Sequence, residues 1–170
     1  MTKSYLIGVL HDSTERKLTY RISQKSEEFV KFIASGIKKL GGNAWVYKEG
    51  KKRSVYVVEF SKVFLEGVEI TSRKNKIDYI RGYFDTDGGI AKSSKVRYYI
   101  YFAQKNFQDL KQVKHYLEEL NISTGNIHNP SKKVDPDYWR FYISAESYLD
   151  FANIVGSWHT EKSKFLRMKR

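Results

Sequence analysis

The sequence contains no cysteine and only two prolines, and it has no long apolar run. Without cysteine, disulfide bonds and thiolate metal sites are excluded. The N-terminal segment MTKSYLIGVLHDSTERK has an apolar stretch too short for a signal peptide or a membrane span. We therefore expect a soluble intracellular protein, cytoplasmic or organellar and not secreted, with no membrane partner. Both prolines lie in NPSKKVDPDYW, which predicts one long loop.

Positive charge is what the chain has in excess. Lysine and arginine number 31 against 19 acidic residues, which gives a net charge of +12. This excess favours a polyanionic partner, because neutralising phosphates releases condensed counterions and strengthens binding. With 41% apolar and 15% aromatic residues, a chain of 170 residues can also bury a core.

The order of predicted elements occurs twice. The first half predicts a strand over 16–24, a helix over 25–42, a hairpin in NAWVY and RSVYVVEF, and a short helix in SKVFLEGVEI. The second half predicts a strand over 95–104, a helix in KNFQDLKQVKHYLEEL, strands in TGNIH and YWRFYISA, and a helix in ESYLDFANIVGSW. We therefore divide the chain into halves 1–74 and 75–170, which most simply form a pseudo-symmetric pair.

Apolar periodicity indicates which faces are buried. The first strand places Leu18, Tyr20 and Ile22 on one face, and the helix after it carries apolar residues at helical spacing. Ser26 is the expected N-cap of that helix, and Gly41 is expected to end it.

A related apolar segment begins each half. IRGYFDTDGG heads the second half, and LIGVLHDST heads the first. Aligning Gly8 with Gly82 predicts two helices whose glycines let the backbones approach closely. The same register aligns His11 with Asp85 and Ser13 with Asp87, so the acidic ends are one residue out of step.

IRGYFDTDGG resembles the motif of the LAGLIDADG homing endonucleases, and LIGVLHDST resembles a degenerate first copy. The element order after each motif also suits that family, so the resemblance covers nearly the whole chain. It implies an α+β fold of two pseudo-symmetric αββαββα-type halves, with a central pair of motif helices and two curved antiparallel sheets that form a DNA-binding saddle. It further implies a monomeric, intron-encoded enzyme that cuts both strands of a long, pseudo-palindromic double-stranded DNA site.

The resemblance also implies the chemistry. The last acid of each motif would bind a divalent metal, Mg²⁺ or Mn²⁺, beside the scissile phosphate, and that acid is Asp87 in the second copy. Asp85 is expected to form a hydrogen bond or cap within the helix pair. In the first copy the aligned residue is Ser13, and the adjacent Asp12 is the alternative ligand. Whether Asp12 acts or this half-site is weakened stays open.

A Gln-Lys pair stands at each strand-to-helix junction, as Gln24 and Lys25 and as Gln104 and Lys105. In the resembled family, a lysine here reaches the solvent around the scissile phosphates, where a cation stabilises developing charge. The glutamines are expected to position water.

Strand residues that face away from the core helices are expected to read bases, and turn lysines to hold phosphates. The candidates of the first half are Lys17, Thr19, Arg21, Ser23, Trp45, Tyr47, Lys48, Lys51, Lys52 and Arg53. The candidates of the second half are Arg97, Tyr99, Tyr101, Lys132, Lys133, Arg140 and Tyr142.

Two other functions fit the same residues. An eroded first motif is compatible with a maturase that binds group I intron RNA, or with a DNA-binding protein that uses only the scaffold. A nickase with one competent centre at Asp87 lies between these functions and the endonuclease.

Overall fold

A computed structural model describes residues 1–50, 53–93 and 95–167. The chain forms two compact units, Met1–Thr86 and Asp87–Arg170. The sequence repeat divides the chain before the second motif helix, whereas the compact units divide at the last residue of that helix. Both motif helices, apart from Asp87, therefore belong to the first unit.

The first unit carries a four-stranded antiparallel sheet of order β1-β2-β4-β3. Its elements are α1 (Lys3–Val9), β1 (Ser13–Glu15), β2 (Thr19–Gln24), α2 (Glu27–Lys39), β3 (Ala44–Lys48), β4 (Tyr56–Ser61) and α3 (Arg73–Asp87). A 3₁₀ turn, Leu10–Asp12, continues α1, and a second, Lys62–Leu65, follows β4.

Helix α2 covers one face of this sheet. The Ser26 side chain accepts a hydrogen bond from the Phe29 amide and caps the helix, and Gly41 ends it with a φ of 86°. Ile33 and Ile37 are fully buried, as is Ile22 on β2. The predicted cap, apolar stripe and stop of this helix are confirmed.

The second unit carries a three-stranded antiparallel sheet of order β5-β6-β7. Its elements are β5 (Gly88–Ile90), β6 (Ile100–Gln104), α4 (Phe107–Glu119), β7 (Trp139–Tyr142), α5 (Tyr148–Asp150) and α6 (Thr160–Arg167). Helix α4 packs on β6 and β7 through Leu110, Val113 and Leu117, all fully buried. It mirrors α2, since Asn106 caps its start and Asn121, with a φ of 61°, follows its end.

Helices and antiparallel sheets together make the α+β class that the sequence predicts. Within the described residues, none of the helices combines the length and the apolar character that a bilayer span requires. Three short elements, β1, β5 and α6, were not predicted, because their short or polar sequences carry little periodicity.

Several predicted elements differ from the structure. TGNIH is not a strand, because only Thr124 and His128 form isolated bridges to β7 and the stretch between them lacks continuous pairing. SKVFLEGVEI forms only a 3₁₀ turn, which is followed by Gly67 at a φ of 70°. ESYLDFANIVGSW is helical over 145–155 but changes from 3₁₀ through α to π geometry. Leu18 is 72% exposed, because β2 begins only at Thr19.

Candidate active site and nucleic-acid interface

Two glycines bring α1 and α3 into backbone contact. A Cβ added to Gly8 would lie 2.0 Å from the Tyr79 carbonyl oxygen and 2.8 Å from the Tyr83 amide nitrogen. A Cβ added to Gly82 would lie 2.0 Å from the Tyr5 oxygen and 3.0 Å from the Val9 nitrogen. These contacts match each other through the 74-residue offset of the motifs, so the predicted glycine contact is confirmed.

Two cross-helix hydrogen bonds repeat the same symmetry. The Tyr5 hydroxyl donates to Asp85 Oδ2 at 2.7 Å, and the Tyr79 hydroxyl lies 2.6 Å from His11 Nε2. Tyr5 aligns with Tyr79, and Asp85 aligns with His11, so the bonds occupy equivalent places. Sequence reasoning missed both tyrosines, although each lies three residues before a motif glycine.

Asp85 is 1% exposed. Burial, together with the Asp85 carboxylate, raises the pKa of Tyr5 well above its usual value, so this hydroxyl stays protonated and donates. The expectation that Asp85 bonds within the helix pair is thus confirmed. Arg81 donates to Asp78 at 2.6 Å, and 15% of its side chain is exposed.

At the end of the first motif, the exposed acid is Asp12. Its Oδ2 accepts a hydrogen bond from Gln24 Nε2 at 2.5 Å, across the start of the sheet. Ser13 has left the helical turn, because it has extended dihedral angles and begins β1. Its hydroxyl donates to the Leu10 carbonyl at 2.6 Å, so it closes the turn.

The end of the second motif carries the same pair within the second unit. Asp87 is the last residue of α3, and its Oδ2 accepts a hydrogen bond from Gln104 Nε2 at 3.0 Å. Gln104 ends β6 as Gln24 ends β2. Each motif therefore ends in an aspartate held by the glutamine of its own unit's strand-to-helix junction.

The two junction lysines differ in their surroundings. Lys25 and Lys105 are both exposed. Lys105 Nζ forms an ion pair with Asp135 at 3.2 Å, and Asp135 lies in the proline-containing loop. Lys25 has no ion pair with any residue in the described ranges. Ion pairs this exposed are weak, so Lys105 can leave Asp135 at little cost.

The sheet face opposite α2 is polar in the first unit. Arg21, Trp45 and Glu59 form one cross-strand row, and Ser23 and Tyr47 belong to the next.

The cations on this face form ion pairs with carboxylates. Arg21 donates to Tyr47 and to Glu49, and these bonds raise its pKa. Thr19 and Tyr47 donate to Glu59, and these bonds, with the nearby Arg16, lower the pKa of that carboxyl. The positive charge of this face is thus partly neutralised, because both glutamates lie among its cations.

The second unit's open face is built differently, around Arg140. The Arg140 guanidinium lies 4.5 Å from the centre of the Tyr101 ring and donates to the hydroxyls of Tyr138 and Tyr142. Burial opposes the charged form, but these hydrogen bonds outweigh it and raise the pKa of Arg140. Tyr99 packs against Tyr101 and Tyr142. We call Tyr99, Tyr101, Tyr138 and Tyr142 the tyrosine cluster.

The tyrosine cluster is anchored by a glycine. A Cβ at Gly89 would lie 2.1 Å from the Tyr101 ring, so a side chain at this position would have to displace the ring. Tyr138 was missed by sequence reasoning, because it lies just before β7 and its role depends on the fold of the preceding loop.

Most of the remaining predicted contact residues described by the structure lie outside the strands. Lys17 lies in the bend between β1 and β2, and Arg97 and Tyr99 precede β6. Arg53 precedes β4, and Lys132 and Lys133 lie in the turn of the proline-containing loop. Lys48 ends β3 and is exposed. Lys51 and Lys52 lie outside the described residues.

Comparison with known proteins identifies a matching domain and a related protein. Residues 74–156 match the LAGLIDADG-like domain. The homing endonuclease I-ApeI of Aeropyrum pernix is 28% identical over an alignment 193 residues long. The alignment covers 95% of this chain and 84% of that protein.

Two solved structures have the same fold. The crystal structure of I-DmoI in complex with DNA and Mn is superimposed with a TM-score of 0.64 at 19% identity, over 91% of this chain and 95% of that one. The N-terminal LAGLIDADG domain of DUF199/WhiA gives a TM-score of 0.69 at 14% identity, over 92% and 83% of the two chains. The chain therefore has a LAGLIDADG-like domain over residues 74–156, and it is similar to I-ApeI in sequence and to I-DmoI in fold.

Proposed function

We propose that the chain is a metal-dependent, site-specific DNA endonuclease that cuts both strands of a long duplex target. The observation that carries this proposal is the aspartate–glutamine pair that ends each motif, Asp12 with Gln24 and Asp87 with Gln104. A matched acid in each half favours two working half-sites over the nickase. The name of I-ApeI and the DNA-bound I-DmoI structure support DNA as the substrate.

The residues at these sites fit Mg²⁺ or Mn²⁺. Asp12 and Asp87 offer hard carboxylate oxygens, and within the described ranges no group of three or more His, Cys, Asp or Glu residues is placed to hold a metal. Mg²⁺ is commonly held by one or two carboxylates, with the other positions filled by water and substrate phosphates. When bound, the metal would lower the pKa of water and offset charge on the scissile phosphate.

Other polar residues would act around these acids. Gln24 and Gln104 orient the carboxylates through their amide groups and help to position water, and the Gln104 carbonyl oxygen also accepts a hydrogen bond from the Lys105 amide at 2.7 Å. Lys25 and Lys105 supply cations that stabilise charge developing on the phosphate. DNA binding would draw Lys105 away from Asp135, whose carboxylate is repelled by phosphates.

We further propose that halves 1–74 and 75–170 each read one half of the target, so that a single chain is the functional unit. The first sheet reads bases through Thr19, Arg21, Ser23, Trp45 and Tyr47, and the second through Arg140 and the tyrosine cluster. The net charge of +12 supplies the non-specific attraction, with phosphate contacts from the loop lysines. Lys17, Arg53 and Arg97, which lie beside the strands, suit phosphates better than bases.

A pool of random-sequence duplexes tests the function and identifies the target in the same experiment. Duplexes that the protein retains in Ca²⁺ are amplified, and the enriched sequence is then incubated with Mg²⁺, with Mn²⁺ or with EDTA. We expect both strands to be cut in Mg²⁺ or Mn²⁺ and neither in EDTA. An enriched sequence that is bound but stays intact in both metals would contradict the proposal and favour a DNA-binding protein. Specific retention of intron RNA instead of duplex would favour the maturase.

Arg140 should contribute more to recognition than Arg21, because tyrosines orient it without neutralising its charge. Arg140→Gln is expected to weaken binding of the enriched duplex by about 10- to 100-fold, the effect of losing one bidentate arginine–guanine contact. It should also relax the base preference at one position. Competition binding in Ca²⁺ against singly substituted duplexes measures both effects.

Arg167→Gln is the control for charge, since it removes one exposed cation at the end of α6. A loss for Arg140→Gln that is equal for all duplexes, with a smaller salt dependence, would instead indicate a phosphate contact.

A further inference from the structure

We propose that His11 is a positioning residue that ends the first motif helix in a 3₁₀ turn, and so presents Asp12 rather than residue 13 as the acid of the first half-site. The proposal rests on the function proposed above. It accounts for the one-residue offset between the two motif ends.

The first step is the equivalence of the two cross-helix bonds. The Tyr79 hydroxyl lies 2.6 Å from His11 Nε2. In the equivalent place, the Tyr5 hydroxyl lies 2.7 Å from Asp85 Oδ2. The Tyr79 and Tyr83 rings also pack against the imidazole, with ring centres 5.6 and 4.4 Å from it. The position of His11 is therefore set by α3 as well as by its own helix.

The second step is the length of the side chain. The Nε2 atom of an imidazole lies one bond further from the main chain than the Oδ atoms of an aspartate. Because the two hydrogen bonds are nearly equal in length, the main chain at residue 11 must accommodate the longer side chain. The structure changes from α to 3₁₀ geometry at Leu10, one residue before the histidine.

The third step is the position of the acid along the helix. A residue rises ~1.5 Å in an α-helix and ~2.0 Å in a 3₁₀ helix. From Gly82 to Asp87 the chain takes five α steps, and from Gly8 to Asp12 it takes one α step and three 3₁₀ steps. Both paths advance by about 7.5 Å, so the 3₁₀ turn brings Asp12 as far beyond its glycine as Asp87 lies beyond Gly82.

Residue 13 therefore cannot be the last residue of the first motif helix. The Ser13 amide and hydroxyl both donate to the Leu10 carbonyl, and the residue pairs with Ile22 as the first residue of β1. An acidic side chain at position 13 would thus project from a strand and not from the end of the helix.

The test changes the length of the side chain at position 11 and moves the acid between positions 12 and 13. His11→Asp should favour an α-helical end and move Asp12 out of position, which lowers cutting of the strand that depends on Asp12 by about 10- to 100-fold. That strand is identified beforehand as the one whose cutting falls in Asp12→Asn. Adding Ser13→Asp to His11→Asp should restore much of the activity, whereas adding Ser13→Asp to Asp12→Asn, with His11 in place, should restore none. With both changes present, a further Asp12→Asn should have little effect.

A structural readout needs neither metal nor DNA. In the unmodified protein, backbone chemical shifts and nuclear Overhauser contacts of residues 10–13 should indicate a 3₁₀ turn. They should change to an α pattern in His11→Asp. His11→Asn has the reach of aspartate without its charge, so it should give the same change even if thermal unfolding shows that the new carboxylate destabilises His11→Asp.

Three outcomes overturn the proposal. The first is an unchanged 3₁₀ pattern in both His11 variants. The second is cutting by both variants at the wild-type rate with the same dependence on Asp12. The third is the absence of rescue by Ser13→Asp once the α pattern is established. Failure of the proposed function is a different result, since it would appear as no metal-dependent cutting by the unmodified protein.

Discussion

Replacing Asp87 with asparagine should reduce cutting of one strand by roughly 10²- to 10⁴-fold while the protein still folds and binds its target. In the proposed function this carboxylate is the acid of its half-site, and an amide of the same size brings no charge to a divalent metal. Metal-ion catalysis supplies several kcal/mol of transition-state stabilisation, and each ~1.4 kcal/mol corresponds to a tenfold change in rate.

DNA binding should survive the substitution. Asparagine can still form a hydrogen bond with Gln104, and losing a negative charge from a chain of net charge +12 does not weaken its attraction to phosphates. The product from a supercoiled plasmid should therefore be a nicked circle, because the half-site of Asp12 stays intact. Asp12→Asn should nick the other strand, and the double variant should cut neither.

Duplexes labelled on each strand in turn measure the two rates separately, and binding is measured in Ca²⁺. Asp150→Asn is the matched control, since it removes an exposed carboxylate from the same unit and should cut at the wild-type rate. Cutting of both strands at the wild-type rate by Asp87→Asn would contradict the assignment. An equal loss on both strands would indicate that the two acids serve both cuts.

Replacing Gly82 with alanine should destabilise the protein by about 3 kcal/mol and lower the Tm by roughly 10 °C. In an ordinary helix interior this substitution stabilises, by up to about 1 kcal/mol. Here the new Cβ would lie 2.0 Å from the Tyr5 carbonyl oxygen, and a backbone atom cannot turn away as a flexible side chain can. The helices would have to separate, which would also lengthen the Tyr5–Asp85 and Tyr79–His11 hydrogen bonds.

Thermal unfolding followed by circular dichroism measures this effect. Gly125→Ala is the control, because the nearest atom to its new Cβ is the Tyr142 carbonyl oxygen at an ordinary contact distance of 3.7 Å. It should change stability by no more than about 0.5 kcal/mol. A Tm for Gly82→Ala as high as that of the control would mean that α1 and α3 do not form this contact in solution.

Elements with strong local signals were predictable from the sequence. Helix α2 has a serine cap, an apolar stripe and a terminal glycine, and each of these acts within a few residues. The prediction of a strand in TGNIH was wrong, because its two isolated bridges, to Ile143 and Arg140, depend on residues distant in sequence, and no local pattern reveals that the pairing is discontinuous.

The candidate site was predictable to a similar degree. Sequence spacing brought out Gln24 and Gln104, because they recur at matching places in both halves, and the resemblance to the family motif brought out Asp87. Sequence spacing did not identify Glu59, whose partners Thr19 and Tyr47 become neighbours only through strand pairing. It also did not identify Tyr138, whose hydrogen bond with Arg140 depends on the fold of the preceding loop.

The amino-acid sequence by itself indicated most of the two-copy order of elements, the glycine contact of the motif helices and, through the family motif, the candidate acid Asp87, because periodicity, capping and repeats act over short distances. Only the tertiary structure favoured Asp12 over Ser13 as the candidate acid of the first half-site. An alignment advances by whole residues, whereas the position of a side chain depends on the rise of each one. That rise changes where the first motif helix ends in a 3₁₀ turn, at a histidine in contact with Tyr79 on the other helix.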